Sequence, residues 1–146
     1  MTKPIPDGYH TITPYLLVDD ATGLVDFLQR GFDAHLVEAI RDPEGNIQHA
    51  ELKVGTSMVM LGQARAEAPA MPACLYMYVE KCDARYRQAV EAGATPLQEP
   101  EDAFYGDRCG AVTDAFGNQW WIATHQETLT SEEIAKRAAE QGGASA

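Results

Sequence analysis

The stretch from Tyr105 to Ala123 constrains this chain more than any other. Asp114 to Asn118 carries turn chemistry, because Gly117 is free to take positive φ and Asn118 tolerates it. Val112 before the turn and the run Trp120 to Ala123 after it favour extended backbone. The segment reads as a hairpin. In its second strand Trp120 and Ile122 share one face and Trp121 and Ala123 the other, since side chains alternate along a strand. Both faces are apolar, so the strand is buried on both sides. One face meets helices and the other lines a cavity, which makes the hairpin the wall of a binding site.

The elements before the hairpin follow from periodicity and turn residues. After a Pro-rich arm to Gly8, Thr11 to Val18 predicts a strand, with Pro14 placing it near an edge or bulge. Asp19 and Asp20 can cap a helix running to about Arg30, with Leu24, Val25, Leu28 and Phe32 at helical spacing and Gly31 as its stop. Strands follow at His35 to Ile40, Ile47 to Val54 and Met58 to Leu61, separated by turns at Asp42 to Asn46 and at Gly55-Thr56.

A loop from Gly62 to Pro72 leads to the same order again. Leu75 to Glu80 predicts a strand, Asp83 to Ala92 a helix with Tyr86, Ala89 and Val90 inward and Gly93 as stop, and Thr95 to Gln98 a strand. The hairpin completes the set. A shift of 61 or 62 residues matches Tyr15 with Tyr76, Val18 with Val79 and Gly55 with Gly117. The fold class is therefore α+β, with two βαβββ modules over about 11–62 and 73–125 in a single domain. A capping box of Thr130 and Glu133 starts a short C-terminal helix over about 130–141, with a tail from Gly142 expected to fray.

Charge and cysteine content exclude several classes of function. Lys and Arg total 11 against 22 Asp and Glu, and the net charge of −11 repels nucleic acid and anionic membrane surfaces. No apolar run approaches the roughly 20 residues of a membrane helix, and Met1 to Gly8 lacks an apolar signal core. A cytoplasmic protein is expected. Cys74, Cys82 and Cys109 are odd in number and form no Cys-x-x-Cys pair, which disfavours a disulfide framework or a structural zinc site.

The paired modules, the Asp114 to Trp120 turn and Tyr105-Gly106-Asp107-Arg108 resemble the vicinal oxygen chelate superfamily of glyoxalases and bleomycin-resistance proteins, most of all its PhnB-like branch. The resemblance spans roughly Ile12 to His125. It implies that each module curls its mixed sheet into half of a cup, that the halves face each other around a central concavity, and that the chains pair as a homodimer. Metal enzymes of that superfamily draw His, Gln or Glu ligands from the first and last strand of each module. Carried over, those positions are Thr13, Val59, Cys74 and Trp121, of which Val59 and Trp121 offer hydrocarbon and indole. A site built on imidazole and carboxylate needs about three or four such groups. No metal and no other cofactor is expected.

Strand alternation points Tyr15, Leu17, Leu61, Tyr76, Tyr78 and Trp121 toward the concavity, together with Thr13, Val59 and Cys74. Such a surface suits a flat or apolar ligand, though the same residues could fill a closed core. His49 and Glu51 share a strand face opposite Ala50, Leu52 and Val54, either as an acid-base or ligand-orienting pair or as an ordinary solvated face. Arg108 could offer its planar fork to a ligand with Asp107 orienting it, or Asp107 could cap the turn while Arg108 makes a structural ion pair. Cys74 lacks a cationic neighbour in sequence and reads as an inert thiol. Two functions stand open. One is a metal-free small-molecule-binding protein for an aromatic or amphipathic ligand, with Tyr15, Tyr76, Tyr78, Trp121, His49, Glu51 and Arg108 as binding candidates. The other is a lyase or dioxygenase-like enzyme with a rearranged metal site or a His49 and Glu51 acid-base pair as catalytic candidates.

Overall fold

The computed structural model describes residues 2–144. The first module comprises β1 (Tyr15–Val18), α1 (Ala21–Phe32), β2 (His35–Arg41), β3 (Ile47–Val54) and β4 (Ser57–Gln63). The second comprises β5 (Cys74–Tyr78), α2 (Cys82–Glu91), β6 (Thr95–Asp102), β7 (Asp107–Thr113) and β8 (Gln119–His125), and α3 (Ser131–Ala144) follows. Each module forms one mixed four-stranded sheet, in the orders β1-β4-β3-β2 and β5-β8-β7-β6. The first strand pairs parallel to the last, and the other pairs are antiparallel. The repeated order of elements expected from the sequence is present.

Local chemistry accounts for most boundaries. Asp20 caps α1 by accepting a hydrogen bond from the Gly23 amide at 2.9 Å. The helix runs past Gly31 to Phe32, and the left-handed residue that ends it is Asp33, with φ of 53°. Gly31 serves close packing instead. A Cβ there would sit 3.3 Å from the Phe27 ring and 3.5 Å from the methyl of Ala92, the residue that follows α2. Gly93, with φ of 114°, does stop α2. The expected strand from Thr11 is shorter, starting at Tyr15: Pro14 has no N–H to continue the ladder, and its carbonyl accepts from the Met60 amide at 2.9 Å. β6 runs on to Asp102, with its register broken around Gln98 between Pro96 and Pro100. The Thr130 and Glu133 capping box forms, with the Glu133 amide donating to Thr130 Oγ1 at 3.1 Å. α3 continues through Ala144, and the rest of the tail lies outside the described residues.

Period-two alternation divides each sheet into a core face and an opposite face. Leu16, Val18, Ala50, Leu52, Val59 and Leu61 pack inward beneath α1, and Trp120, Ile122 and Val112 pack toward α2. Fully burying each large side chain of this set contributes about 1.5–3 kcal/mol. α1 packs on α2, and the Phe32 and Trp120 rings meet at 5.0 Å, so both buried faces share one core. Among the described residues no strand of one module pairs with a strand of the other. Within one chain the halves therefore do not face each other around a concavity: their helices meet, and the opposite sheet faces look outward.

Candidate functional site

The outward face of the second sheet is organised by one carboxylate. Asp107 opens β7, is 2 % exposed, and points to the side away from α2 because its neighbour Arg108 takes the helix side. Tyr76 and Tyr78, two residues apart on β5, donate their hydroxyls to its Oδ2 at 2.7 and 2.9 Å. His125, opposite Asp107 in the β7–β8 register, meets Oδ1 through Nδ1 at 2.9 Å. Burial alone would raise the Asp107 carboxyl, but the hydrogen bonds from His125, Tyr76 and Tyr78 carry it below its ordinary value. Burial, reinforced by the hydrogen bonds to Tyr105 and Asp107, pushes the Tyr76 phenol well above its ordinary value, and the bond to Asp107 does the same for Tyr78. The cluster is thus an ionised acceptor holding phenols that keep their protons.

Beside this cluster Trp121 lies half-buried, in register with Tyr76 on one side and Ala111 on the other. Its indole N–H donates to Gln119 Oε1 at 3.3 Å. A cavity of about 580 Å³ opens over it, walled by Phe104, Tyr105 and Cys109 and by Glu140 and Gln141 of α3. Tyr105 connects cavity and cluster, since its hydroxyl lies 3.1 Å from that of Tyr76.

The first sheet carries a second polar group on its outward face. His49 and Glu51 lie side by side on β3, with Nε2 and Oε2 3.2 Å apart, while Ala50 and Leu52 are fully buried behind them. Tyr15 meets His49 Nδ1 at 3.1 Å, and Tyr9 from the N-terminal arm donates to Glu51 Oε1. A carboxylate can only accept, so His49 donates through Nε2 and its Nδ1 accepts from Tyr15. Tyr15 lies against Gly62, where a Cβ would come within 2.6 Å of its hydroxyl.

The structure rearranges part of the expected lining. Val59 and Leu61 face the core, not the concave side: Val59 pairs with Leu52 and Leu61 with Ala50, and Met60, opposite Glu51, is the residue that shares the outward face with Tyr15. A one-residue shift reverses the face of every side chain on a strand. The first module thus offers a thioether where the resemblance calls for His, Gln or Glu, and the positions Thr13, Met60, Cys74 and Trp121 do not fit a divalent ion held by imidazole and carboxylate. Among the described residues no group of three or more His, Cys, Asp or Glu is placed to hold one. Arg108 lies away from the outward face, forked onto Asp83 of α2 at 2.7 and 3.0 Å and touching Asp102 at 3.2 Å. Asp107 neither caps the turn nor orients Arg108. Cys74 is exposed, with Gln119 Oε1 3.9 Å from its sulfur. Sequence reasoning missed Tyr9, Tyr105 and the role of Asp107; the Tyr-x-Tyr spacing of Tyr76 and Tyr78 was the available signal that two hydroxyls on one face need a common acceptor.

Comparison with known proteins agrees with this architecture. Residues 9–122 match the Glyoxalase/Bleomycin resistance protein/Dioxygenase superfamily. The uncharacterized protein Mb0911c of Mycobacterium bovis is 31 % identical over 142 residues, covering 90 % of this chain and 93 % of its own length. Among solved structures, TioX from Micromonospora sp. ML1 superposes with a TM-score of 0.69 at 24 % identity, over 80 % of this chain and 98 % of its own. A PhnB protein from Bacillus cereus superposes with a TM-score of 0.61 at 18 % identity, over 79 % and 99 %.

Proposed function

The chain belongs to the glyoxalase/bleomycin resistance protein/dioxygenase superfamily, and we propose that it is a metal-free small-molecule-binding protein of that superfamily, akin to the PhnB-like branch. It holds an aromatic or amphipathic ligand on the outward sheet faces. The observation that carries the reading is the Trp121 wall: a half-buried indole lining a cavity of about 580 Å³, with Tyr76 and Tyr78 outside that lining on the neighbouring strand, where their exposures are 45 % and 63 % and their hydroxyls are held by Asp107. Aromatic walls with a few fixed polar groups are the usual form of small-molecule sites. Because these faces point away from each other within one chain, a second copy is needed to set a first-module face opposite a second-module face. We propose a homodimer, expected as a particle of twice 15.9 kDa in light scattering. Titration with a panel of flat aromatic compounds tests the binding reading. Part of the tryptophan fluorescence should quench on binding and the Trp121→Phe protein should lose that part, whereas an affinity unchanged by the substitution rejects Trp121 as the wall.

The linked Tyr9, Glu51, His49 and Tyr15 group favours one second reading, a metal-free proton transfer. Glu51 would orient His49 and leave its Nδ1 as base toward the Tyr15 hydroxyl. A turnover that survives His49→Ala would reject it.

A further inference from the structure

Resting on the binding reading above, we infer that the cavity between the second sheet and α3 takes an organic cation, a protonated amine or quaternary ammonium carried on a flat ring system. Two independent features of the site select that class.

The first is charge. Glu101, Asp102 and Glu140 line the cavity, and no Lys, Arg or His is among its lining residues. Asp102 shares Arg108 with Asp83, but Glu101 and Glu140 make no ion pair among the described residues. Arg137, on the same helix as Glu140, is held by Glu127 at 2.6 Å and also feels the Glu140 charge. An anionic ligand would meet three carboxylates and no cation in the lining, whereas a cation would meet Glu101, which no ion pair engages, beside Asp102 and Glu140, which are only partly compensated by Arg108 and Arg137.

The second is the direction of the hydrogen bonds. Each phenol has one proton, and those of Tyr76 and Tyr78 are spent on Asp107. Tyr105 must then give its own proton to the Tyr76 oxygen. The indole N–H of Trp121 is spent on Gln119. Tyr105 is the phenol that lines the cavity, and with its proton so placed it presents lone pairs to an incoming molecule, so a matching ligand supplies the donors, as an ammonium does and a carboxylate or sulfonate does not. The rings favour the same class: Trp121 is exposed in part, and Phe104 and Tyr105 meet edge to face at 5.3 Å, offering π faces that attract cations.

Two acridines sharing one ring system test the inference on the full chain at pH 7.5: 9-aminoacridine, a cation, and acridine-9-carboxylate, an anion. Binding is followed by tryptophan quenching and by calorimetry. The cation should bind at least about tenfold more tightly, and its affinity should fall as salt is raised. The Glu101→Gln/Glu140→Gln protein should lose about tenfold for the cation and nothing for the anion, with an unchanged melting temperature because both carboxylates are exposed. Equal or tighter binding of the anion overturns the cation while leaving the aromatic binding face standing. Preferential cation binding that the double substitution does not weaken also overturns it, because general attraction to a chain of charge −11 would then account for the preference. Failure of both acridines to bind sinks the binding reading along with the inference.

Discussion

Replacing Asp107 by asparagine removes one charge and almost no volume from the centre of the second-sheet cluster. The carboxylate is 2 % exposed and is met by Tyr76 at 2.7 Å, Tyr78 at 2.9 Å and His125 at 2.9 Å. Hydrogen bonds to a charged acceptor contribute about 1.5–3 kcal/mol net, against about 0.5–1.5 kcal/mol for neutral ones. Asparagine can keep its oxygen toward the two phenols and turn its amide nitrogen to His125, whose other tautomer accepts. Every bond then survives in neutral form, and the weakening of the three bonds, reduced by water around the half-exposed phenols and His125, removes about 2 kcal/mol. The phenols are exposed enough for water to take them, which keeps the loss below the roughly 3–5 kcal/mol of a buried charge left without its partner. The melting temperature should fall by about 4–8 °C. The folded-state carboxyl lies below its unfolded value, so its contribution is complete above the ordinary carboxylate range and is lost as pH falls through the folded value. Urea unfolding followed by circular dichroism should therefore show the full gap between the proteins at pH 7 and a gap that closes at acid pH, below the ordinary carboxylate range. A gap under about 0.5 kcal/mol at pH 7, or one of equal size at both pH values, would refute the reasoning.

Three further outcomes are expected. Trp120→Phe should cost about 2–3 kcal/mol in chemical denaturation, because Trp120 is 2 % exposed, packs on Phe32 and donates to Asp114 at 2.9 Å, whereas Trp121→Phe should cost less than about 1 kcal/mol and change ligand affinity instead. Gly106→Ala should be the most damaging small substitution, lowering stability by more than about 2 kcal/mol in a thermal melt, since Gly106 has φ of 104° and a Cβ there would strike the Glu127 carbonyl. Elemental analysis of protein purified without chelator should find no near-stoichiometric zinc, iron, nickel or manganese, and finding one would return the chain to the metal enzymes of its superfamily.

What the sequence determined by itself is whatever depends on neighbours a few residues away. Turns at Asp42 to Asn46 and Asp114 to Asn118, the Asp20 cap and the opposite faces of Trp120 and Trp121 follow from local backbone geometry and the period of two, and each is where it was expected. The pairing of His49 with Glu51 on one face follows from the same alternation. The tertiary structure decided what depends on register and on distant partners. Val59 and Met60 exchange faces on a shift of a single residue, and in an apolar run such as Ser57 to Leu61 the pattern does not declare which face is buried until β3 and α1 pack against it. Asp107 reads in sequence as a turn residue beside an arginine. Only the sheet brings Tyr76 and Tyr78 from 31 and 29 residues away to make it a buried acceptor, and only the meeting of α1 with α2 turns the two concave faces outward. Those contacts are set by the burial of surfaces far apart along the chain, which no local period encodes.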